Sequence, residues 1–172
     1  MARNLVVYYS RKGENYFGGS IRSVSKGNTE YVAEYIAEAV GADLFEIETV
    51  KDYPADYMKC TEVAKSELKQ GARPELKRYI DSLDGYDNVF VCGPCWWGTY
   101  PMAVFSLIDR LDWNGKRVFA VMTHEGSGLG SSERDLKNAC KGAQLAGSLS
   151  VGGSQAQSSK KKVSDWAAGC LE

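Results

Sequence analysis

Short apolar runs alternate with longer amphipathic ones along this 172-residue chain, and that alternation constrains the fold more than any other feature. Asn4 to Tyr9 is a continuous β-prone run of the kind buried on both faces of a parallel sheet. Thr29 to Val40 then carries Val32, Ala33, Ile36, Ala37 and Val40 at helical spacing, and Gly41 supplies a C-terminal stop. Further strands are predicted at Leu44 to Glu48, Asn88 to Cys92, Arg117 to Met122 and Leu145 to Val151. Helices are predicted at Tyr57 to Gly71, Glu75 to Leu83, Pro101 to Leu111, Ser132 to Lys141 and Ser159 to Leu171. Pro101 suits a first helical turn, where its missing N–H costs nothing. Five strand–helix units without an internal repeat predict an α/β, doubly wound parallel sheet with helices on both faces.

In that class ligands bind beyond the carboxyl ends of the strands, and three unusual segments fall there. The first, Ser10 to Asn28, is long, holds four glycines and opens a helix through Lys26-Gly27-Asn28-Thr29. Free N–H groups and the helix dipole make such an N-terminus an anion site, with Ser10, Asn28 and Thr29 able to complete a phosphate cradle. A plain Asn or Thr helix cap accounts for the same residues. The second segment, Gly93-Pro94-Cys95-Trp96-Trp97-Gly98-Thr99-Tyr100, offers adjacent indoles suited to stacking on a flat heteroaromatic ring, or to the core. The third, Thr123-His124-Glu125-Gly126-Ser127-Gly128-Leu129-Gly130, brings backbone amides that can approach a ligand closely. It holds the one histidine, His124, which is either structural or a group that tunes a bound ring.

Charge excludes other classes. With 21 basic and 22 acidic residues the chain has a formal net charge of −1, which argues against a nucleic-acid binder. The run Lys160-Lys161-Lys162 reads as a solvated helix face. No stretch approaches the roughly 18 apolar residues of a membrane span, and no secretion signal is evident at the start, so a cytoplasmic protein is expected. Five scattered cysteines fit reduced thiols.

Cys92-Gly93-Pro94-Cys95 matches the redox motif of thioredoxin, whose first cysteine is activated at a helix N-terminus. Here Cys92 closes an apolar strand, and Trp96-Trp97-Gly98 follows the second cysteine where a helix is required. The two cysteines are therefore expected to act as small apolar fillers.

Taken together, Tyr9-Ser10, Gly27-Asn28-Thr29, Pro94-Cys95-Trp96-Trp97-Gly98-Thr99 and Thr123-His124-Glu125-Gly126-Ser127-Gly128 resemble the flavodoxin-like family. The branch it resembles has a Pro-x-Trp-Trp-Gly-Thr loop and a Thr-His-x-Gly-Ser-Gly loop, and the resemblance covers nearly the whole chain. It implies a five-stranded parallel sheet of order 2-1-3-4-5 and an FMN at the switch point. Ser10, Asn28 and Thr29 would hold the FMN phosphate, and which of Lys12, Arg11 or Lys26 adds a cationic contact is left open by the insertion. Pro94, Cys95, Trp96, Trp97, Gly98 and Thr99 would line the isoalloxazine, Trp97 being the first choice for stacking. The backbone around Gly98 would accept a hydrogen bond from flavin N5, and Thr123, His124, Glu125, Gly126, Ser127 and Gly128 would meet the pyrimidine edge.

The chain departs from that family in carrying an insertion at about 11–27, expected to form a hairpin over the site. It also lacks the strong acidity of carrier flavodoxins and has no aromatic residue in the third loop. An uninterrupted fifth strand resembles the short-chain type. The expectation is one domain, residues 1–172, acting as an FMN electron-transfer protein with no metal. Its partners would be a reductase donor and an acceptor enzyme, or a small quinone. The alternative on the same fold is an NAD(P)H-dependent flavin or quinone reductase.

Overall fold

The structure, a computed structural model, describes residues 3–172. Its centre is the strand β1 (Asn4–Tyr8), whose five residues are all buried. The chain then makes a separate antiparallel hairpin, β2 (Gly13–Phe17) and β3 (Ser20–Val24). Gly18 and Gly19 at its tip take φ of +62° and +97°, the left-handed pair that a two-residue hairpin turn requires. Helix α1 (Asn28–Val40) follows and buries Val32, Ala33, Ile36 and Ala37, ending on Gly41 at φ +64°.

The remaining elements are β4 (Asp43–Glu46), α2 (Tyr57–Gln70), β5 (Asn88–Pro94), α3 (Met102–Ile108), β6 (Arg117–His124), α4 (Ser132–Ala139), β7 (Gln144–Gly152) and α5 (Lys160–Cys170). The main sheet runs β4-β1-β5-β6-β7 with all neighbours parallel. With the hairpin set aside, this is the expected order 2-1-3-4-5. β7 is one continuous strand, with a single register shift opposite Val118 and Phe119.

Alternation along the strands feeds two cores. Val89 and Val91 of β5 join a cluster with α3, Trp113 and Leu136, while Phe90 and Cys92 join α1 and α5 on the other face. Phe90 and Phe119 stack at 4.5 Å across β5 and β6, closed by the edge of Trp166. Lys160 and Lys161 are exposed and pair with Glu38 and Asp165, the solvated face expected.

One predicted helix is absent. Residues 75–83 are not helical: Val50 N donates to Glu75 O and Lys77 N to Glu48 O, an antiparallel bridge at Leu76 beside the sheet. Leu76 and Leu83 are buried and Tyr79 and Ile80 pack on the core, so the apolar spacing belongs to a strap that crosses the core without winding.

Candidate functional site

β1 and β5 lie side by side, and their carboxyl ends deliver the first two loops to one point of the sheet. Helix α1 begins at Asn28 with Gly27 as N-cap, a residue without a side chain to cap it. The first-turn N–H groups have no intrahelical acceptor. One of them, Glu30 N, donates to Ser10 Oγ at 3.1 Å. Gly27 has φ −70°, but a Cβ there would meet Ser10 Oγ at 2.1 Å and Arg11 O at 2.6 Å. Close backbone approach is thus what this glycine provides. Thr29 Oγ1 meets Thr123 Oγ1 at 2.8 Å, joining the first loop to the third.

From that junction a cleft of about 220 Å³ opens. Asn28, Thr123, His124, Glu125 and Ser127 line it on one side, and Pro94, Cys95 and Trp96 on another. Cys95 is anchored by its N–H to Thr123 O, 2.8 Å, and burial pushes its thiol up despite hydrogen bonds to Gly98 and Ser127. His124 Nδ1 accepts from Gly126 N at 2.9 Å, an arrangement that suits the neutral ring with its hydrogen on Nε2. Gly126 and Gly128 take φ of +128° and +61°, so this loop is held in a shape that side chains resist.

The other expected residues lie near the cleft but not on its wall. Trp97 is 52% exposed at φ +56°, a conformation rare outside glycine, and its Nε1 donates to Thr61 O at 2.8 Å. It sits with Gly98, φ +86°, at the centre of a tight turn closed by Trp96 N to Thr99 O. Trp96, packed edge-on to Tyr9 and Tyr53, is the indole that faces the cleft. The Gly98 carbonyl accepts from Ser131 N at 2.7 Å and from Ser131 Oγ at 3.0 Å. Thr99 is buried with its hydroxyl donating to Asp135. Lys12 is exposed and, with Ser10, Glu46 and Glu48, lines a groove other than the cleft.

Four cleft residues were not anticipated: Asn15, Tyr16, Tyr57 and Gly153. The insertion is a hairpin, as expected, and it covers the cleft: Gly18 N donates to Glu125 Oε2, and Tyr16 pairs with Tyr57 at 6.2 Å. These two rings supply the aromatic wall that the third loop lacks. Gly153 follows β7 at the same end of the sheet, and a Cβ there would strike Asn28 Nδ2 and Glu125 Oε1, both at 2.6 Å. The strand-end rule that located the other loops also points to it.

An open parallel sheet with a helix N-terminus and an aromatic-walled cleft at its switch point defines a doubly wound α/β ligand-binding protein. A flavodoxin sequence profile matches residues 17–169, and the chain belongs to the flavodoxin family. No curated protein matches it. Among solved structures, a Bacteroides uniformis protein described as a flavoprotein is 25% identical, with a TM-score of 0.75 over 96% of this chain and 97% of its own. A Lactobacillus acidophilus flavoprotein in complex with FMN is 20% identical at TM-score 0.67, covering 95% of this chain and 99% of its own. Oxidised flavodoxin 2 from Bacillus cereus shares the fold at 17% identity and TM-score 0.55, over 99% and 98% of the two chains.

Proposed function

We propose that this chain binds one FMN in the cleft and transfers electrons through it. The observation that carries this reading is that the α1 N-terminus, with Ser10 bonded to Glu30 N and Thr29 bonded to Thr123, stands next to a cleft walled by Asn28, Thr123 and Trp96. That donor set fits FMN: neutral hydroxyls and amides at a helix dipole suit a phosphate, and an indole beside free loop amides suits a flat polar ring. Bound there, the flavin supplies one- and two-electron chemistry that side chains lack.

The chain's residues bind and orient. Ser10, Asn28 and Thr29 with the first-turn amides hold the phosphate, and Trp96 faces the ring. Thr123 to Gly128 meet its polar edge, and Tyr16 and Tyr57 shield it from water. Trp97 and Lys12 take no direct part. The five cysteines are free, which fits a reducing compartment, the cytoplasm. The whole chain is read as one FMN domain with the hairpin as its lid. Among the described residues no helix is long and apolar enough to cross a membrane.

The test is to saturate the purified protein with FMN, remove unbound flavin and titrate it anaerobically with dithionite while recording the visible spectrum. Retained flavin reduced in two resolved one-electron steps supports a carrier working between a reductase and an acceptor enzyme. The near-neutral net charge of −1 favours a second reading, an NAD(P)H-dependent flavin or quinone reductase, because charge steering to a protein partner is weak. Reduction in a single two-electron step, with direct NAD(P)H oxidation, supports that reading. Failure to retain flavin overturns both.

A further inference from the structure

Behind Trp96 lies a second cavity, of about 230 Å³, lined by Trp97, Cys60, Thr61, Ala64 and Arg11 and sharing Tyr57, Cys95 and Trp96 with the FMN cleft. Arg11 is the unusual member. It is 91% buried, being 9% exposed, yet among the described residues no carboxylate pairs with it. Its Nε donates to Glu14 O at 2.8 Å, and its Nη2 to Pro54 O and Ala55 O at 2.9 and 3.1 Å. Those three bonds tie the hairpin to the chain before α2 and use three of the five guanidinium N–H donors. Nη1, with its two N–H donors, has no oxygen partner among the described residues, and the guanidinium hydrogen-bonds the Cys60 thiol.

A buried cation is costly unless a counter-charge or hydrogen bonds compensate it. Glu46, Glu48 and Asp52 line a groove together with Arg11, but none forms an ion pair with it. Burial raises the Cys60 and Cys95 thiols, so both stay neutral. Glu14 is exposed and accepts from Tyr57 N, and Glu67 accepts from Tyr53 Oη. The other walls are indoles, a phenol ring and small apolar side chains. A space of about 230 Å³ takes one ring and its substituent.

We propose that this cavity is a binding site for a small aromatic anion, a one-ring carboxylate or phenolate whose oxygen meets Arg11 Nη1 and whose ring lies against Trp96. The shared walls put such a ligand next to the flavin, and that adjacency alone rests on the FMN reading. Binding itself does not, because Arg11 and the cavity are present in the chain without flavin.

The experiment titrates the full chain, with and without saturating FMN, with benzoate and with uncharged benzamide, following the Trp96 and Trp97 indole N–H resonances. Benzoate is expected to shift both indoles and to bind about ten- to a hundredfold more tightly than benzamide, the range set by one charged hydrogen bond. Ala64→Leu fills the cavity from α2 and is expected to abolish benzoate binding while FMN retention is unchanged. Arg11→Gln is expected to bring benzoate down to the benzamide level. If Arg11→Gln fails to fold, the benzoate–benzamide comparison and Ala64→Leu decide. Unmoved indoles, equal affinity for the two probes, or full binding by Ala64→Leu would each overturn the proposal. Benzoate binding to a protein that retains no FMN would uphold this site and sink the flavin reading instead.

Discussion

Cys92 and Cys95 show how little a four-residue motif means without its surroundings. Cys92 is fully buried among α1 and α5 side chains, whereas Cys95 packs against the opposite core. Gly93 between them is a glycine because a Cβ would meet the Tyr100 ring at 2.8 Å. Burial raises both thiols above an ordinary cysteine, and thiolate is the reactive form. Alkylation by iodoacetamide at pH 7.0–8.0, a range set by the roughly 8.5 of a free thiol, should therefore be slower than that of free cysteine. It should accelerate only as pH rises above that range, at Cys95 before Cys92. A fast-reacting Cys92 would restore dithiol chemistry. The two tryptophans make a second residue-scale test. Trp96→Ala should weaken FMN by about tenfold or more, since aromatic contacts contribute about 1 kcal/mol beyond area burial. Trp97→Ala, which removes an exposed ring and one bond to Thr61, should leave FMN affinity within about twofold. Flavin fluorescence titration reads both, and the reverse order would return the stacking role to Trp97.

At the scale of elements, the start of α1 is the part that position and composition made most legible. Asn28 and Thr29 follow a glycine at a strand-to-helix junction, and the structure gives Gly27 a packing reason to be glycine. Gly27→Ala should overpack that junction, costing about 1–3 kcal/mol of stability and displacing Ser10 from the phosphate cradle. Urea denaturation and FMN titration would check this, and an unchanged affinity would show that Ser10 has no part in binding. The strap at 75–83 was not legible for the opposite reason. Leu76, Tyr79, Ile80 and Leu83 sit at helical spacing, yet their backbone partners are at Glu48 and Val50, far away in sequence. Periodicity reports which side chains are buried and says nothing about where an edge segment finds its hydrogen bonds. The same limit hid Tyr16 and Tyr57. Nothing local marks either as a cleft wall, because they become one only when the hairpin folds back onto α2.

For the whole molecule, the question is what the hairpin adds to a sheet that is already complete. β2 and β3 form their own two-stranded sheet and share no ladder with the five main strands. A lone hairpin is marginal in water, so its position depends on what it touches. Glu14 accepts from Tyr57 N, Arg11 donates to Pro54 O and Ala55 O, Asn15 donates to Arg11 O, and Gly18 donates to Glu125. These contacts surround the cleft and leave both cores untouched, since every residue of β2 and β3 is at least partly exposed. Replacing residues 12–25 by a short glycine-serine link should therefore keep the fold, seen as an unchanged far-ultraviolet circular dichroism apart from the lost strands. Its stability should fall by only about 1–2 kcal/mol, the worth of a few partly exposed hydrogen bonds. Binding should suffer more: FMN is expected to dissociate faster and its fluorescence to become more accessible to an iodide quencher, because Tyr16 and the Glu125 contact are gone. Loss of the fold on deletion would mean that the hairpin belongs to the core. Unchanged quenching would mean that it does not cover the flavin.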